Sequence, residues 1–143
     1  MKCTVIIDES GQEEIIIRCK KRTPTVDKIE RLIGNDDERL IGFKDGEANV
    51  IDINDVYCFI VQNNKVFAVL ENEMLLLKQR LYIIEERSGP EFIKINQSCL
   101  ANIDKIRKFD MTVAGALKVV FKNGYVDYVS RRNLKAIKER LGL

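Results

Sequence analysis

The side chains best suited to chemistry stand in the last third of the chain. Arg131 and Arg132 open what reads as a terminal helix, and Lys135 follows one turn later. Asn96, Gln97 and Ser98 follow a short apolar run. A guanidinium binds phosphate bidentately and is the commonest reader of guanine. An Asn or Gln amide carries a donor and an acceptor, the pattern that matches an adenine edge. Taken singly, each residue has a plainer role: Asn96 and Ser98 end a strand and cap a turn, and Arg131 solubilises a helix end. Charge is what joins them. The 143 residues carry 24 Lys+Arg and 22 Asp+Glu, a net of +2. Residues 1–91 hold 13 basic and 18 acidic side chains, a net of −5, whereas residues 92–143 hold 11 basic and 4 acidic, a net of +7. A basic segment joined to an acidic one points to a polyanion-binding surface at one end.

Catalysis has little to build on. There is no histidine, hence no Ser-His-Asp or Cys-His nucleophile, no imidazole metal ligand and no imidazole pH switch. Asp36-Asp37-Glu38 and Glu85-Glu86 read as solvated charges, and no glycine-rich phosphate loop occurs. No catalytic residue, metal, cofactor or small-molecule substrate is expected, and the chain is not read as an enzyme. The four cysteines, at 3, 19, 58 and 99, form no C-x-x-C motif. Cys3, Cys58 and Cys99 lie in apolar runs and read as small hydrophobes. The N-terminus is charged again at Asp8, and no apolar stretch reaches the ~20 residues of a spanning helix. A reduced, cytoplasmic protein is expected. Aromatic residues of the basic part alternate into the core pattern and form no stacking array for single strands or RNA. Duplex DNA is the better fit.

These residues must be positioned by the elements around them. Residues 2–7 and 14–20 read as two strands around a Ser10-Gly11 turn, and Thr23-Pro24 caps a helix that closes at Gly34. Such a ββα unit is too small to hold a core alone. The polar break at 35–38 is the best internal boundary. Strands follow at 40–44 and 47–53 around Asp45-Gly46, at 56–62 and 66–70 around Asn63-Asn64-Lys65, and at 74–77. A helix starting near Lys78 ends by Ser88-Gly89-Pro90. The β pattern then resumes at 92–95 and 106–114. Residues 117–122 and 125–129 flank Asn123-Gly124, and Ser130 caps the terminal helix.

The run Phe92-Ile93-Lys94-Ile95-Asn96-Gln97-Ser98-Cys99-Leu100-Ala101-Asn102-Ile103-Asp104-Lys105-Ile106 resembles the signature of the LytTR DNA-binding domains of bacterial transcription regulators. Lys122-Asn123-Gly124 and Val129-Ser130-Arg131-Arg132-Asn133-Leu134-Lys135 resemble that family's hairpin and helix start. The resemblance spans residues 38–143. It implies an α+β, mostly β fold: an elongated stack of short antiparallel sheets with a C-terminal helix, here preceded by a ββα extension at 1–37. It implies docking by loops inserted into the major groove of double-stranded DNA, as a homodimer. The contact regions it implies are Asn63-Asn64-Lys65, Asn96-Gln97 and Arg131-Arg132, and Lys94 and Lys135 are expected to add phosphate contacts beside them. Lys105, Lys108, Lys118 and Lys122 are further candidates for phosphate, while Asn102 reads as structural. No receiver domain fits in 37 residues, so the stand-alone class of these regulators is implied, some of which a small membrane protein restrains. The extension is the candidate for dimerisation or partner docking. The polar pair at 96–97 often contains His or Arg in the family, and here both are uncharged amides. That departure favours the alternative, a protein-interaction module of the same fold that has lost DNA binding.

Overall fold

The computed structural model describes residues 2–34, 39–111 and 115–143, with the backbone alone at 31–34. The polar break at 35–38, and with it the boundary between extension and domain, lies outside the described residues. After helix α1 (Pro24–Gly34) the chain lays down β1 (Arg39–Lys44) and β2 (Glu47–Asp52). It crosses through a 3-10 turn at Ile53–Asp55 to β3 (Cys58–Gln62), β4 (Lys65–Val69) and β5 (Met74–Leu77). Helix α2 (Leu81–Arg87) leads to β6 (Phe92–Asn96) and β7 (Cys99–Asn102). These strands form one sheet of order β2-β1-β5-β4-β3-β7-β6, antiparallel throughout. A second 3-10 turn, Ile103–Lys105, precedes β8 (Ile106–Met111), β9 (Leu117–Phe121) and β10 (Val126–Val129), which form a smaller sheet of order β10-β9-β8. Helix α3 (Arg131–Leu141) follows.

Burial follows the two-residue period of a strand. Along β3, Phe59 faces a core under α2 that also takes Val56, Leu75, Ile84 and Leu100. Cys58 and Ile60 face the opposite way, into a core shared with Phe121 and Val119 of the small sheet and Ile137 of α3. Both faces of the central strands are thus covered, which is why 58–61 reads as a continuous apolar run. Gly42 in β1 has no room for a side chain: a Cβ there would stand 2.5 Å from Ile51 Cδ1 and 2.6 Å from Leu75 Cβ.

The turns show why their residues are there. Lys44 pairs Glu47 across Asp45 (φ 51°) and Gly46 (φ 79°). Gln62 pairs Lys65 across Asn63 (φ 51°) and Asn64 (φ 61°). Both are two-residue loops with positive φ at each central residue, a conformation that favours Gly, Asn and Asp. The expected three-residue turn is therefore shorter, and Lys65 opens β4. Asn123-Gly124 behaves differently. Gly124 N–H donates to Phe121 C=O at 2.9 Å and Gly124 alone has positive φ, 89°. This is a type I turn closed by a left-handed glycine, a bulged hairpin in place of the expected two-residue one.

Three further expectations differ. Residues 2–7 and 14–20 form no strands, and Val5, Ile6 and Ile7 are 83%, 83% and 91% exposed. Strand propensity measures fit to a pleated, half-buried surface, and here no surface is offered. The capping expected next to it does occur: Thr23 Oγ1 accepts the Val26 N–H at 3.3 Å, and α1 starts at Pro24. Strand β7 is absent from the sequence expectation. All four of its residues are buried, so it lacks the alternation that marks a half-exposed strand. Of the strand expected at 106–114, β8 occupies 106–111, and 112–114 lie outside the described residues.

Candidate nucleic-acid interface

The antiparallel register brings three segments to one end of the two sheets. Strand β3 ends at Gln62 and β4 starts at Lys65, which places the Asn63-Asn64 turn there. Strand β6 ends and β7 starts across Gln97-Ser98 at the same end, because Ile60 pairs Cys99. Val129, the last residue of β10, leads directly into α3. Hydrogen bonds tie the three together. Val61 N–H donates to Ser98 C=O at 2.9 Å, and Ser130 N–H donates to Ile95 C=O at 2.9 Å.

Asn96 is the staple of this arrangement. Its Nδ2 donates to Asp127 Oδ1 and to Tyr128 C=O, each at 2.9 Å. Its Oδ1 accepts the Ser98 N–H at 2.8 Å. These bonds use both amide ends within the chain, so the structure gives Asn96 a positioning role. Gln97, beside it, is exposed at the tip of the turn. Asn96→Ala should lower thermal stability by about 1–2 kcal/mol, since it strips bonds from a half-buried carboxylate and two backbone groups. Gln97→Ala should leave the melting temperature unchanged. Paired thermal melts of the two variants check both.

Helix α3 presents its cations as the sequence implies. Arg131, Arg132 and Lys135 lie on its solvent side, while Ile137 is buried in the second core. Ser130 occupies the cap position without a side-chain bond to the helix, which leaves first-turn N–H groups open to an acceptor. The helix ends at Gly142, with φ 70°.

Other expected contacts lie elsewhere. Lys94 pairs Leu100, so it sits on the α2 face of the large sheet, away from α3. Lys122 N–H donates to Lys105 C=O, and Lys105 Nζ lies 5.2 Å from the centre of the Tyr57 ring. Both lysines are at the far end of the sheets from the three segments. Lys108 is paired with Asp110 at 3.5 Å on the small sheet. Two cations without a signal in the sequence, Lys78 and Arg80, follow β5 at the near end. Only strand register places them there.

Beneath the turns the sheet buries Cys58 and Cys99. A hydrogen bond with Cys58, and then burial, push the Cys99 thiol up from its ordinary pKa. Burial likewise raises the Tyr125 phenol. Cys3 and Cys19, by contrast, are exposed, so Cys3 is not the core hydrophobe its neighbours imply. Among the described residues no group of three or more His, Cys, Asp or Glu stands close enough to hold a metal. No helix of the described residues is long and apolar enough to cross a membrane.

Residues 46–142 match the family model of the LytTr DNA-binding domain. The chain belongs to the LytTr family. Its fold is similar to the LytTr DNA-binding domain of a Bacillus cereus response regulator, with a TM-score of 0.70 at 16% identity over 74% of this chain and 98% of that one. Proteins described as uncharacterized HTH-type transcriptional regulators from Staphylococcus aureus strains NCTC 8325 and COL are 34% identical over 100% of this chain and 99% of theirs. Their similarity therefore includes the N-terminal extension. In this LytTr chain strands separate α1, α2 and α3, so among the described residues no two helices are joined by a short turn as in a helix-turn-helix. The family is a DNA-binding one and not an enzyme family.

Proposed function

We propose that this chain is a sequence-specific transcription regulator that binds double-stranded DNA as a homodimer and inserts turns into the major groove. The observation that carries the reading is the hydrogen-bonded alignment of the Asn63-Asn64 turn, Gln97 and Arg131-Arg132 along one end of the sheets. Neighbouring strands lie about 4.8 Å apart, so the centres of the first two turns stand about 10 Å apart, two strand spacings, a separation comparable to the ~12 Å width of one major groove. The amides suit adenine edges and the guanidinium groups suit guanine. The family match and the names of the Staphylococcus relatives support the same reading.

Residues 1–37 serve as the dimerisation element in this proposal. Val5, Ile6, Ile7, Ile15 and Ile16 are each at least 63% exposed in the single chain, and exposed β-branched runs of this kind call for a partner surface. A second copy supplies an identical set of β-branched runs, and a dimer matches paired half-sites. Selection of bound duplexes from a random pool, followed by titration at several salt concentrations, tests the DNA reading. A single enriched motif bound with steep salt dependence is expected. Recovery of no motif and no salt-dependent binding would leave the interaction-module alternative. Light scattering on the full chain should report a dimer, and Ile6→Lys/Ile16→Lys should shift it to monomer. A monomeric wild-type protein would remove the dimer from the proposal.

A further inference from the structure

The end of the large sheet that bears the Asn63-Asn64 turn continues past it, on the side away from α3. Val66 pairs Leu77 there, the last pair of the β4–β5 ladder, and Lys65 and Lys78 are the residues that flank it. Lys65, Lys78 and Arg80 line one groove of about 600 Å³, together with Asn64 and Gln79, and the lining contains no carboxylate. Among the described residues none of the three cations has an ion-pair partner. Lys78 Nζ lies 4.7 Å from the centre of the Phe43 ring, a placement that leaves its N–H donors available. A local clustering of unneutralised positive charge is the pattern expected where a ligand supplies the opposite charge.

We infer that Lys65, Lys78 and Arg80 form a fourth DNA contact, a clamp on the phosphate backbone beside the base-reading turns. This rests on the DNA-binding reading above and adds to it a region that the family motifs do not mark. The clamp sits outboard of the Asn63-Asn64 turn, because β5 lies beyond β4 in the sheet order. It therefore grips phosphates flanking the bases read, and it carries no sequence information itself.

The test uses the full chain and the duplex that the wild-type protein selects from a random pool. Removing one cation from a phosphate should lower the slope of log affinity against log salt by about 0.9, so Lys78→Ala/Arg80→Ala should lower it by about 1.8. Backbone footprinting should lose protection on one flank of each half-site, and the selected motif should stay the same. Lys78→Gln/Arg80→Gln, which keeps side-chain bulk, should behave alike and covers a folding defect in the alanine variant. Wild-type slope and footprint in both variants would overturn the clamp, as would a changed base preference. A wild-type protein with no salt-dependent binding to any duplex would instead overturn the underlying DNA reading, and the clamp with it.

Discussion

Replacing Arg131 and Arg132 together with alanine should cost about 2–4 kcal/mol of specific DNA affinity, on the order of 100-fold in Kd, since single base-reading arginines cost roughly 1–3. The two effects need not add, because neighbouring side chains couple. Both side chains are exposed at the start of α3, and their backbone is fixed by the Ser130–Ile95 hydrogen bond. Their removal should therefore leave the melting temperature unchanged. What should change is discrimination: the selected motif should lose its preference at the positions that Arg131 and Arg132 read, with Arg132 the stronger contributor. Lys135→Ala provides the contrast. A lysine one turn further along binds phosphate as a point charge, so its removal should weaken all sequences alike. Competition titrations with selected and scrambled duplexes separate the two outcomes. An Arg131→Ala/Arg132→Ala protein that kept its full preference would move base reading to the turns at 63–64 and 97.

How much of this interface is legible in the sequence depends on how far apart the cooperating residues lie. Arg131, Arg132 and Lys135 are legible because a helix turns side chains at fixed spacing, and the apolar stripe Leu134, Ile137 and Leu141 fixes which face stays outside. The turn at Asn63-Asn64 is legible because its chemistry is local, although the same positive φ that marks the turn supplies a structural reason for both asparagines. Asn96 is legible as a site and not as a staple, since its partner Asp127 stands 31 residues away. Lys78 and Arg80 give no signal, because only the pairing of β4 with β5 brings them to the end of the sheet that bears the Asn63-Asn64 turn. The strands expected at 2–7 and 14–20 show the opposite error. Their β-branched pattern is real, but a two-stranded hairpin is marginal without a surface to pack on, and the single chain supplies none.

Asn102→Leu should be among the most damaging single changes away from the interface. Asn102 is 1% exposed, and a buried polar side chain is tolerated when its bonds are made. Its Nδ2 donates to Val56 C=O at 2.9 Å, and its Oδ1 accepts the Asp104 N–H at 3.0 Å. Its backbone N–H donates to Tyr57 C=O at 3.0 Å. The side chain thus locks the end of β7 to the segment entering β3 and caps the Ile103–Lys105 turn. Leucine has similar bulk and none of these side-chain bonds. Orphaning a buried carbonyl costs about 2 kcal/mol and removing a cap about 1, so the sum of about 3 kcal/mol should lower the melting temperature by roughly 10 °C. Yet Asn102 lies at the far end of β7 from Gln97. Measured well below its melting temperature, the variant should hold DNA within about twofold of the wild type, because the substitution leaves every turn-to-turn bond of the interface in place. The opposite result, unchanged stability with abolished binding, would make Asn102 a DNA-touching residue. The motif that carries the family resemblance thus mixes two kinds of residue: those that reach the ligand, and those that hold the strands which reach it.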